Sequence, residues 1–341
     1  MMYLGEQLPN PSDARLMLSA QLGVAHLVVE MGRELYDESD TGRWSVARIR
    51  CLQARATAHG IAVDVIGLEM GSLLVDIIRG NAEQRDAQLA VIAHNIRAAG
   101  EAGVPCLKYA LHMIGIPRTG RTTGRGGALY SHFDIDEATD EALAAYTGAS
   151  TGQSRAAAVG PVSAQASWDA FAYFLERVIP VAEECGVSLA FHPQDPPLPH
   201  DTGLRGFHHV LGSVDGLKRY LDLSPSRYHV MNFCQGTVAE MCTEPATQVL
   251  DAIRYFGARG KIFMVHFRNI KGGYLHFDEV YPDNGDVDMH RALRVYKEVG
   301  YAGMICPDHV PTSAVDPDKE RQFAFCLGYI KALIQVVEAE A

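Results

Sequence analysis

The sequence has no apolar run that approaches the roughly 20 residues a membrane-spanning helix needs. Its first residues, MMYLGEQLPNPSDAR, lack the basic and then apolar order of a secretory signal peptide. Positive charge is also scarce, with 30 Lys and Arg against 41 Asp and Glu and a formal net charge of −11. Because nucleic-acid binding relies on clustered Lys and Arg, we expect no nucleic-acid partner, no membrane contact and a cytoplasmic location.

Cysteine is sparse and shows no paired spacing, with seven residues scattered along 341. An odd number in this arrangement is not typical of a disulfide framework, so reduced thiols are expected, most of them as small core residues. With 48% hydrophobic and 21% charged residues, the composition is that of a globular protein with a large core. The length suits either two average domains or one large α/β barrel.

Short apolar runs alternate with longer stretches of helical period along the whole chain. Eight runs predict strands: MMYLG, HLVVEM, AVDVIGLE, CLKYAL, VSLAFHP, YHVMNFC, IFMVHFRN and GMICPDHV. The clearest helical segments between them are RWSVARIRCLQARATAHG, NAEQRDAQLAVIAHNIRAAGEAG, SWDAFAYFLERVIPVAEECG and DVDMHRALRVYKEVG, and we expect Ser213 and Asp286 to act as N-caps. This alternation, without a large change of composition, predicts a fold of the α/β class, a single (β/α)8 TIM barrel over residues 1–341.

A long insertion is expected after the fourth strand, over residues 115–160, which are rich in Gly, Thr, Ser and Arg. Loops of this length in compact domains usually act as lids or mobile insertions. Arg118, Arg121 and Arg125 fall inside it and are candidates for a basic lid over an anionic substrate. The alternative is that they are solvated loop charges.

Four metal-competent residues occupy the ends of the last four predicted strands: His192, Cys234, His266 and Asp308. Singly, each has a commoner explanation: a satisfied strand histidine, a buried thiol, or a carboxylate in a cap or ion pair. Because strand ends converge at one mouth of a barrel, the four together predict a divalent transition-metal site. A thiolate ligand argues against magnesium and calcium, which leaves manganese and iron(II) as the favoured metals, with zinc as an alternative.

Five motifs, HPQDPP, NFCQG, VHFRN, GDVDM and PDH, resemble in order and spacing those of the mannonate dehydratase family. Two upstream segments, GRWSVARIRCLQARATAHGIAVDVIGLE and HNIRAAGEAGVPCLKYALHMIGIPRTGR, extend the resemblance over most of the chain. It implies a metal-dependent barrel of the xylose-isomerase-like group that dehydrates D-mannonate to 2-keto-3-deoxygluconate. It also implies that His192, Cys234, His266 and Asp308 bind the metal and that His309 is the acid/base histidine.

The chemistry of such a dehydration suits these residue types. Removing the proton beside a carboxylate is difficult, and a metal either stabilises the enediolate or polarises the departing hydroxyl. His309 is placed to act as acid or base near neutral pH, and Asp308 beside it is a candidate catalytic residue as well as a ligand. Arg268 is a candidate to hold a substrate carboxylate, with a salt bridge across the barrel mouth as the alternative.

The sequence departs from the family's pattern at several positions. Gln194 stands in place of an acid in the first motif, and Cys306 in place of an arginine before PDH. The family's C-terminal catalytic tyrosine and the tryptophan stretch of its fourth loop have no counterpart. These changes predict retained metal chemistry on an altered substrate.

We therefore expect a lyase that removes water from a sugar acid or a related polyhydroxy carboxylate and gives a 2-keto-3-deoxy acid. A metal-dependent isomerase or epimerase on the same barrel is the first alternative. A catalytically silent paralogue that binds a sugar acid is the second. The expected partner is a small-molecule sugar acid, and a homo-oligomer is expected; the sequence leaves the substrate, the metal and the subunit number open.

Overall fold

The computed structural model describes residues 1–30, 33–38, 41–147 and 158–340. The strands are β1 (Tyr3–Leu8), β2 (His26–Val29), β3 (Ala62–Gly67), β4 (Cys106–Ala110), β5 (Gly120–Thr123), β6 (Leu129–Asp134), β7 (Ser188–His192), β8 (His229–Cys234), β9 (Ile262–His266), β10 (Asn269–Gly273), β11 (His276–Val280) and β12 (Met304–Cys306). Eight of them close into a parallel barrel in the order β1-β12-β9-β8-β7-β4-β3-β2. The predicted TIM barrel is confirmed, and each of the eight predicted runs supplies one barrel strand.

Helices surround the barrel: α1 (Asp13–Gln21), α2 (Val46–Thr57), α3 (Leu73–Arg79), α4 (Ala82–Ala102), α5 (Asp140–Thr147), α6 (Ala164–Cys185), α7 (Val214–Asp222), α8 (Gln235–Glu240), α9 (Pro245–Gly257), α10 (Met289–Glu298) and α11 (Glu320–Ala339). Ser213 caps α7 as predicted, since its hydroxyl accepts from the Gly216 amide at 3.0 Å. The predicted cap at Asp286 is wrong, because Asp288 caps α10 and accepts from the Arg291 amide. The carboxylate of Asp286 accepts instead from the amide of Gly272.

The packing inside the barrel determines where the polar side chains at the strand ends point. Its apolar layer consists of Val28, Val65, Cys106, Ala190, Val230, Met264, Met304 and Cys306. Because strand side chains alternate between two faces, the residue two positions further on points the same way and lies nearer the carboxyl-end mouth. Those residues are Glu30, Gly67, Lys108, His192, Asn232, His266 and Asp308. The polar mouth therefore follows from the register of the apolar layer beneath it.

The insertion after β4 folds in part into regular structure. Its strands β5 and β6 join β10 and β11 from the loop after β9 in an antiparallel sheet of order β10-β11-β6-β5. Phe133 and Phe277 face each other across β6 and β11 and are fully buried. An aromatic cross-strand pair of this kind stabilises a small sheet. Residues 148–157 of the predicted insertion lie outside the described residues.

Helix α11 is long and apolar enough to cross a membrane by length and composition alone. In the barrel, α11 packs against β1 and α10, through Cys326, Leu327, Ile330, Ile334 and Val337. These five buried residues form the inner face expected of the outer helix of the eighth βα unit.

Candidate active site

The four residues predicted at the strand ends meet at the barrel mouth. Their ligand-type atoms all lie within 4.8 Å of one another. Nδ1 of His266 is 3.4 Å from the Asp308 carboxylate, and the Cys234 sulfur is 3.5 Å from the same carboxylate. The rings of His192 and His266 are 5.3 Å apart between centroids. We call this set, His192, Cys234, His266 and Asp308, the four-residue cluster.

The hydrogen bonds of the two histidines determine which nitrogen each presents to the cluster. Nδ1 of His192 donates to the Pro193 carbonyl at 2.7 Å, so Nε2 carries the lone pair. Nε2 of His266 lies 3.1 Å from the side-chain oxygen of Gln7, to which it can donate, and 3.1 Å from the side-chain nitrogen of Asn232, while Nδ1 is buried without a hydrogen-bond partner. Burial lowers the pKa of His192 to about 4, so its ring is neutral near neutral pH. A neutral ring with its other nitrogen engaged is the form in which imidazole binds metals.

The sulfur of Cys234 accepts from several donors. The Thr237 hydroxyl lies 3.1 Å from it, the Thr237 amide 3.5 Å and a guanidinium nitrogen of Arg268 3.7 Å. Cysteine binds metals through this sulfur. Two imidazole nitrogens, one sulfur and one carboxylate fit a divalent transition metal and not a magnesium or calcium shell.

A buried network of charges lies beside the cluster. Arg268 contacts Glu240 at 2.6 Å and Asp195 at 3.0 Å, and Arg118 contacts Asp195 at 2.6 Å. Nε of Arg118 donates to Glu279 at 3.1 Å. Both guanidinium groups are 1% exposed. Their N–H groups are therefore directed at protein carboxylates.

Arg268 connects this network to the cluster. Its Nε donates to Asp308 at 3.1 Å, on the carboxylate oxygen that also contacts Cys234. Burial opposes ionisation of Asp308, but the charges of His309, His266 and Arg268 hold the pKa of this carboxyl well below its usual range. A side chain at Gly236 would place its Cβ 2.6 Å from Nε of Arg268. The glycine of the NFCQG motif thus makes room for Arg268.

The protonation states in the network differ between carboxyl groups. Complete burial and the neighbouring Asp195 raise the pKa of Glu240 well above its usual value, against the opposing effect of Arg268. The pKa values of Asp195 and Glu279 lie below theirs, because Arg118 and Arg268, and for Glu279 also His309, outweigh the effect of burial. A neutral Glu240 would leave three positive groups facing three negative ones. These are Arg118, Arg268 and His309 against Asp195, Glu279 and Asp308.

The difference in pKa between Glu240 and the other carboxyl groups of the network predicts unequal effects of two substitutions on stability. Glu240→Gln keeps an uncharged acceptor for Arg268, so we expect it to change the free energy of unfolding by less than about 1 kcal/mol. Arg268→Met removes one cation from the buried carboxylates of Asp195, Glu279 and Asp308, so we expect a loss of roughly 3–5 kcal/mol. Urea unfolding of both variants measures the difference. A destabilisation of similar size in both would contradict the protonation of Glu240.

His309 lies at the edge of the cluster and is 38% exposed. Its Nδ1 donates to both oxygens of Glu279, at 3.0 and 3.1 Å, and its Nε2 is 3.8 Å from Asp308. Burial alone lowers the pKa of this ring, but the Asp308 and Glu279 carboxylates raise it to about 9. Because Glu279 holds Nδ1, Nε2 is the atom left to exchange a proton with a ligand.

A cavity of about 340 Å³ opens over the cluster. A second cavity of about 480 Å³ continues from it and also reaches Asp308 and His309. Both are lined by Gln7, Pro9, Glu30, Ile116, Asp308 and His309. The two volumes form one mouth, of a size that suits a small molecule.

The three arginines predicted in the insertion do not lie together. Arg118 is in the buried network, Arg121 is exposed on β5, and Arg125 pairs with Asp283 at 2.6 and 2.9 Å on the surface. The basic lid predicted for them is not formed in the described arrangement, because two of the three are held by carboxylates. Arg121 remains a candidate from the sequence alone.

The departures from the family pattern have structural explanations. Gln194 is buried, donates to the Leu111 carbonyl and accepts from the Leu211 amide, both at 2.8 Å. A carboxylate there would lose the donor. Cys306 belongs to the apolar interior layer, and burial raises the pKa of its thiol. It does not reach the mouth.

Several residues of the mouth and of the buried charge network beside it were missed by reasoning from the sequence: Gln7, Glu30, Lys108, Glu240 and Glu279. For three of them a signal was available, since they stand on the same strand face as the apolar layer, close to strand ends. For Glu240 and Glu279 there was none, because they come from a helix and from the second sheet.

A second group of possible ligands, His132, Asp134 and His276, lies on the β6–β11 face. His132 bonds Asp278 at 2.9 Å, and His276 bonds Asp134 at 2.8 Å. Each histidine is thus paired with a carboxylate of the neighbouring strand. Cross-strand pairing accounts for this group without a metal.

Comparison with known proteins gives a consistent result. The model of the D-mannonate dehydratase (UxuA) family matches residues 12–338. Mannonate dehydratase of Thermotoga petrophila is 36% identical over 140 residues, which cover 40% of this chain and 37% of that protein. Mannonate dehydratase 2 of Halalkalibacterium halodurans is 27% identical over 290 residues, or 81% of each chain. The match to the Thermotoga relative therefore spans little more than a third of its length.

Solved structures share the architecture. The crystal structure of mannonate dehydratase from Streptococcus suis aligns with a TM-score of 0.80 at 22% identity and covers 99% of this chain and 95% of that one. A D-tagatose 3-epimerase-like protein aligns with a TM-score of 0.59 at 14% identity and covers 99% and 98%. At these identities the likeness establishes the barrel fold.

Proposed function

The chain belongs to the D-mannonate dehydratase family, and on that basis we propose that it is a hydro-lyase acting on a sugar acid. The reaction breaks the C2–H and C3–O bonds of a polyhydroxy carboxylate: the C2 proton passes to solvent, and the C3 hydroxyl takes a proton from His309 and leaves as water. The remaining enol tautomerises to a 2-keto-3-deoxy acid, and His309 regains its proton from solvent. The observation that carries the proposal is the position of His309 Nε2, 3.8 Å from Asp308 and beside the four-residue cluster.

His192, Cys234, His266 and Asp308 are the proposed ligands of a divalent metal, with manganese, iron(II) and zinc as candidates. When bound, the metal supplies a Lewis acid for the oxygens of the substrate. Around it, Gln7 holds His266 in the required tautomer, and Arg268 holds Asp308. We therefore reassign Arg268 and Arg118 from binding the substrate to positioning the acidic groups of the site.

His309 is the proposed acid of the elimination. Asp308 and Glu279 raise its pKa to about 9, against the effect of burial, so the ring carries a proton at Nε2 near neutral pH. Transfer of this proton to the departing C3 hydroxyl lets it leave as water. The hydrogen bonds from Nδ1 to Glu279 keep the ring oriented during the transfer.

The test is a product assay on the metal-loaded enzyme in deuterated water. Pentonates and hexonates, including D-mannonate, are incubated separately beside the corresponding neutral sugars. We expect at least one acid to lose one water and give a 2-keto-3-deoxy acid, visible by NMR and mass spectrometry. A product of unchanged composition that carries deuterium at one carbon would identify an epimerase or isomerase instead. Binding of an acid without any product would support a sensor.

A further inference from the structure

The two arginines nearest the four-residue cluster have their donors engaged. Arg268 donates to Asp308, Glu240, Asp195 and Thr237, all within 3.1 Å. Arg118 is held by Asp195 and Glu279. Both are 1% exposed. A substrate carboxylate that entered the mouth would have to displace a protein carboxylate to reach either guanidinium group.

Lys108 differs from the two arginines because it lines the cavity over the four-residue cluster. It stands on β4 two positions after Cys106, a member of the apolar interior layer, so its side chain points inward and toward the mouth. It lines the 340 Å³ cavity together with His192, His266 and His309. Its side chain is 13% exposed. The ammonium group is therefore inside the cavity and largely shielded from solvent.

The contacts of Lys108 leave some of its N–H donors available to a ligand. In the described part of the chain its Nζ makes one hydrogen bond, to the side-chain oxygen of Gln7. The carboxylate of Glu30 is 3.7 Å away, beyond hydrogen-bond distance, and is 43% exposed. An ammonium group has three N–H donors. Two of them remain for an acceptor in the cavity.

Gln7 gives this lysine a defined position. Its side-chain nitrogen donates to Glu30 at 2.8 Å, and its oxygen accepts from both Lys108 and His266. The amide thus joins the ammonium group to a residue of the four-residue cluster. A group bound by Lys108 is held next to that cluster.

We propose that Lys108 binds the carboxylate of the substrate, with Glu30 and Gln7 beside it as partners for hydroxyl groups. A compact ammonium in a shielded cavity binds a carboxylate through charge-assisted hydrogen bonds. Glu30 accepts from a hydroxyl and repels a second carboxylate. The subsite therefore selects monocarboxylic sugar acids over neutral sugars and over dicarboxylic ones. The inference rests on the proposed function only in taking the ligand to be a sugar acid.

The simplest alternative is that Lys108 only neutralises Glu30. That role needs no ligand and predicts equal effects of Lys108→Met on acids and on neutral polyols. The proposed role predicts an effect on acids alone. Binding selectivity therefore separates the two.

The experiment measures binding to the metal-loaded protein by calorimetry, with D-mannonate and D-gluconate as acids, D-mannitol as the neutral probe and D-glucarate as the diacid. We expect Lys108→Met to weaken binding of the better-bound monoacid about 100-fold and that of the polyol less than about threefold, with unchanged metal content. Lys108→Arg should restore part of the loss. The control is Lys218→Met on the surface of α7, which should bind as the wild type does.

Separate measurements of binding and of turnover distinguish a failure of this inference from a failure of the proposed function. A wild-type protein that binds a monoacid through Lys108 but dehydrates none of the acids tested would overturn the dehydratase proposal and leave the subsite standing. Dehydration of a monoacid with unchanged binding in Lys108→Met would overturn the subsite alone. A wild type that binds neither monoacid, or binds D-glucarate as tightly, would also overturn it.

Discussion

Removing the metal from the purified protein will abolish turnover and lower the melting temperature. The four-residue cluster brings two imidazoles, a sulfur and a carboxylate within 4.8 Å of one another, and the Nδ1 of His266 makes no hydrogen bond outside the cluster. A ligand that binds only the folded state stabilises it by about 2.7 kcal/mol when present at 100 times its dissociation constant. We therefore expect close to one metal per chain by mass spectrometry and a lower melting temperature after chelation.

Two cysteine variants test the assignment of the ligand. Cys234→Ser should lower the metal content and the activity together, whereas Cys242→Ser should alter neither. Cys242 is a suitable control because it is also buried, close in sequence, and its thiol donates to the Val238 carbonyl, away from the cluster. Restoring activity with manganese, iron(II) and zinc in turn identifies the effective metal. Full activity in metal-free protein, with an unchanged melting temperature, would refute the metal site.

His309→Asn will keep the metal and the fold but lose turnover. General acid–base catalysis contributes about 10²–10⁴-fold, and His309 is the group whose Nε2 faces the mouth beside Asp308. The measurement is kcat on the acid identified by the product assay, together with metal content and melting temperature. His276→Asn is a matched control, because this histidine is 65% exposed on the second sheet. Wild-type kcat in His309→Asn would remove the histidine from the mechanism.

Glu279→Gln should change the pH profile rather than abolish the reaction. Glu279 is one of the two carboxylates that raise the pKa of His309 to about 9, so losing its charge lowers that pKa. The acid form of His309 exists below its pKa, and activity falls as the pH rises through it. The alkaline limb of the profile should therefore move to lower pH in Glu279→Gln. An alkaline limb that stays in place would show that another group titrates there.

The fold and the cluster could be predicted because they depend on local patterns. Each barrel strand is a short apolar run, and each of His192, Cys234, His266 and Asp308 stands at or just beyond the end of one. In a parallel barrel these ends must converge, so position along the chain was enough to bring the four together. The helix cap was less certain, because Asp286 and Asp288 both suit an N-cap and only backbone geometry distinguishes them.

The residues that surround each charged side chain could not be predicted from the sequence in the same way. Arg118 and Arg125 are alike in the sequence, yet Arg118 is buried between carboxylates that are distant along the chain, and Arg125 pairs with Asp283 at the surface. Lys108 stands on the strand face that points to the mouth, but the sequence does not show that Arg268 and Arg118 are engaged by protein carboxylates, which is what makes Lys108 important. The sequence by itself determined the barrel, its strand ends and the metal-competent residues on them, since period and order are local properties. Only the tertiary structure decided which cationic side chains pair with protein carboxylates and which cationic side chain has donors available for a ligand. The reason is that charge pairing depends on distances between residues far apart in the chain.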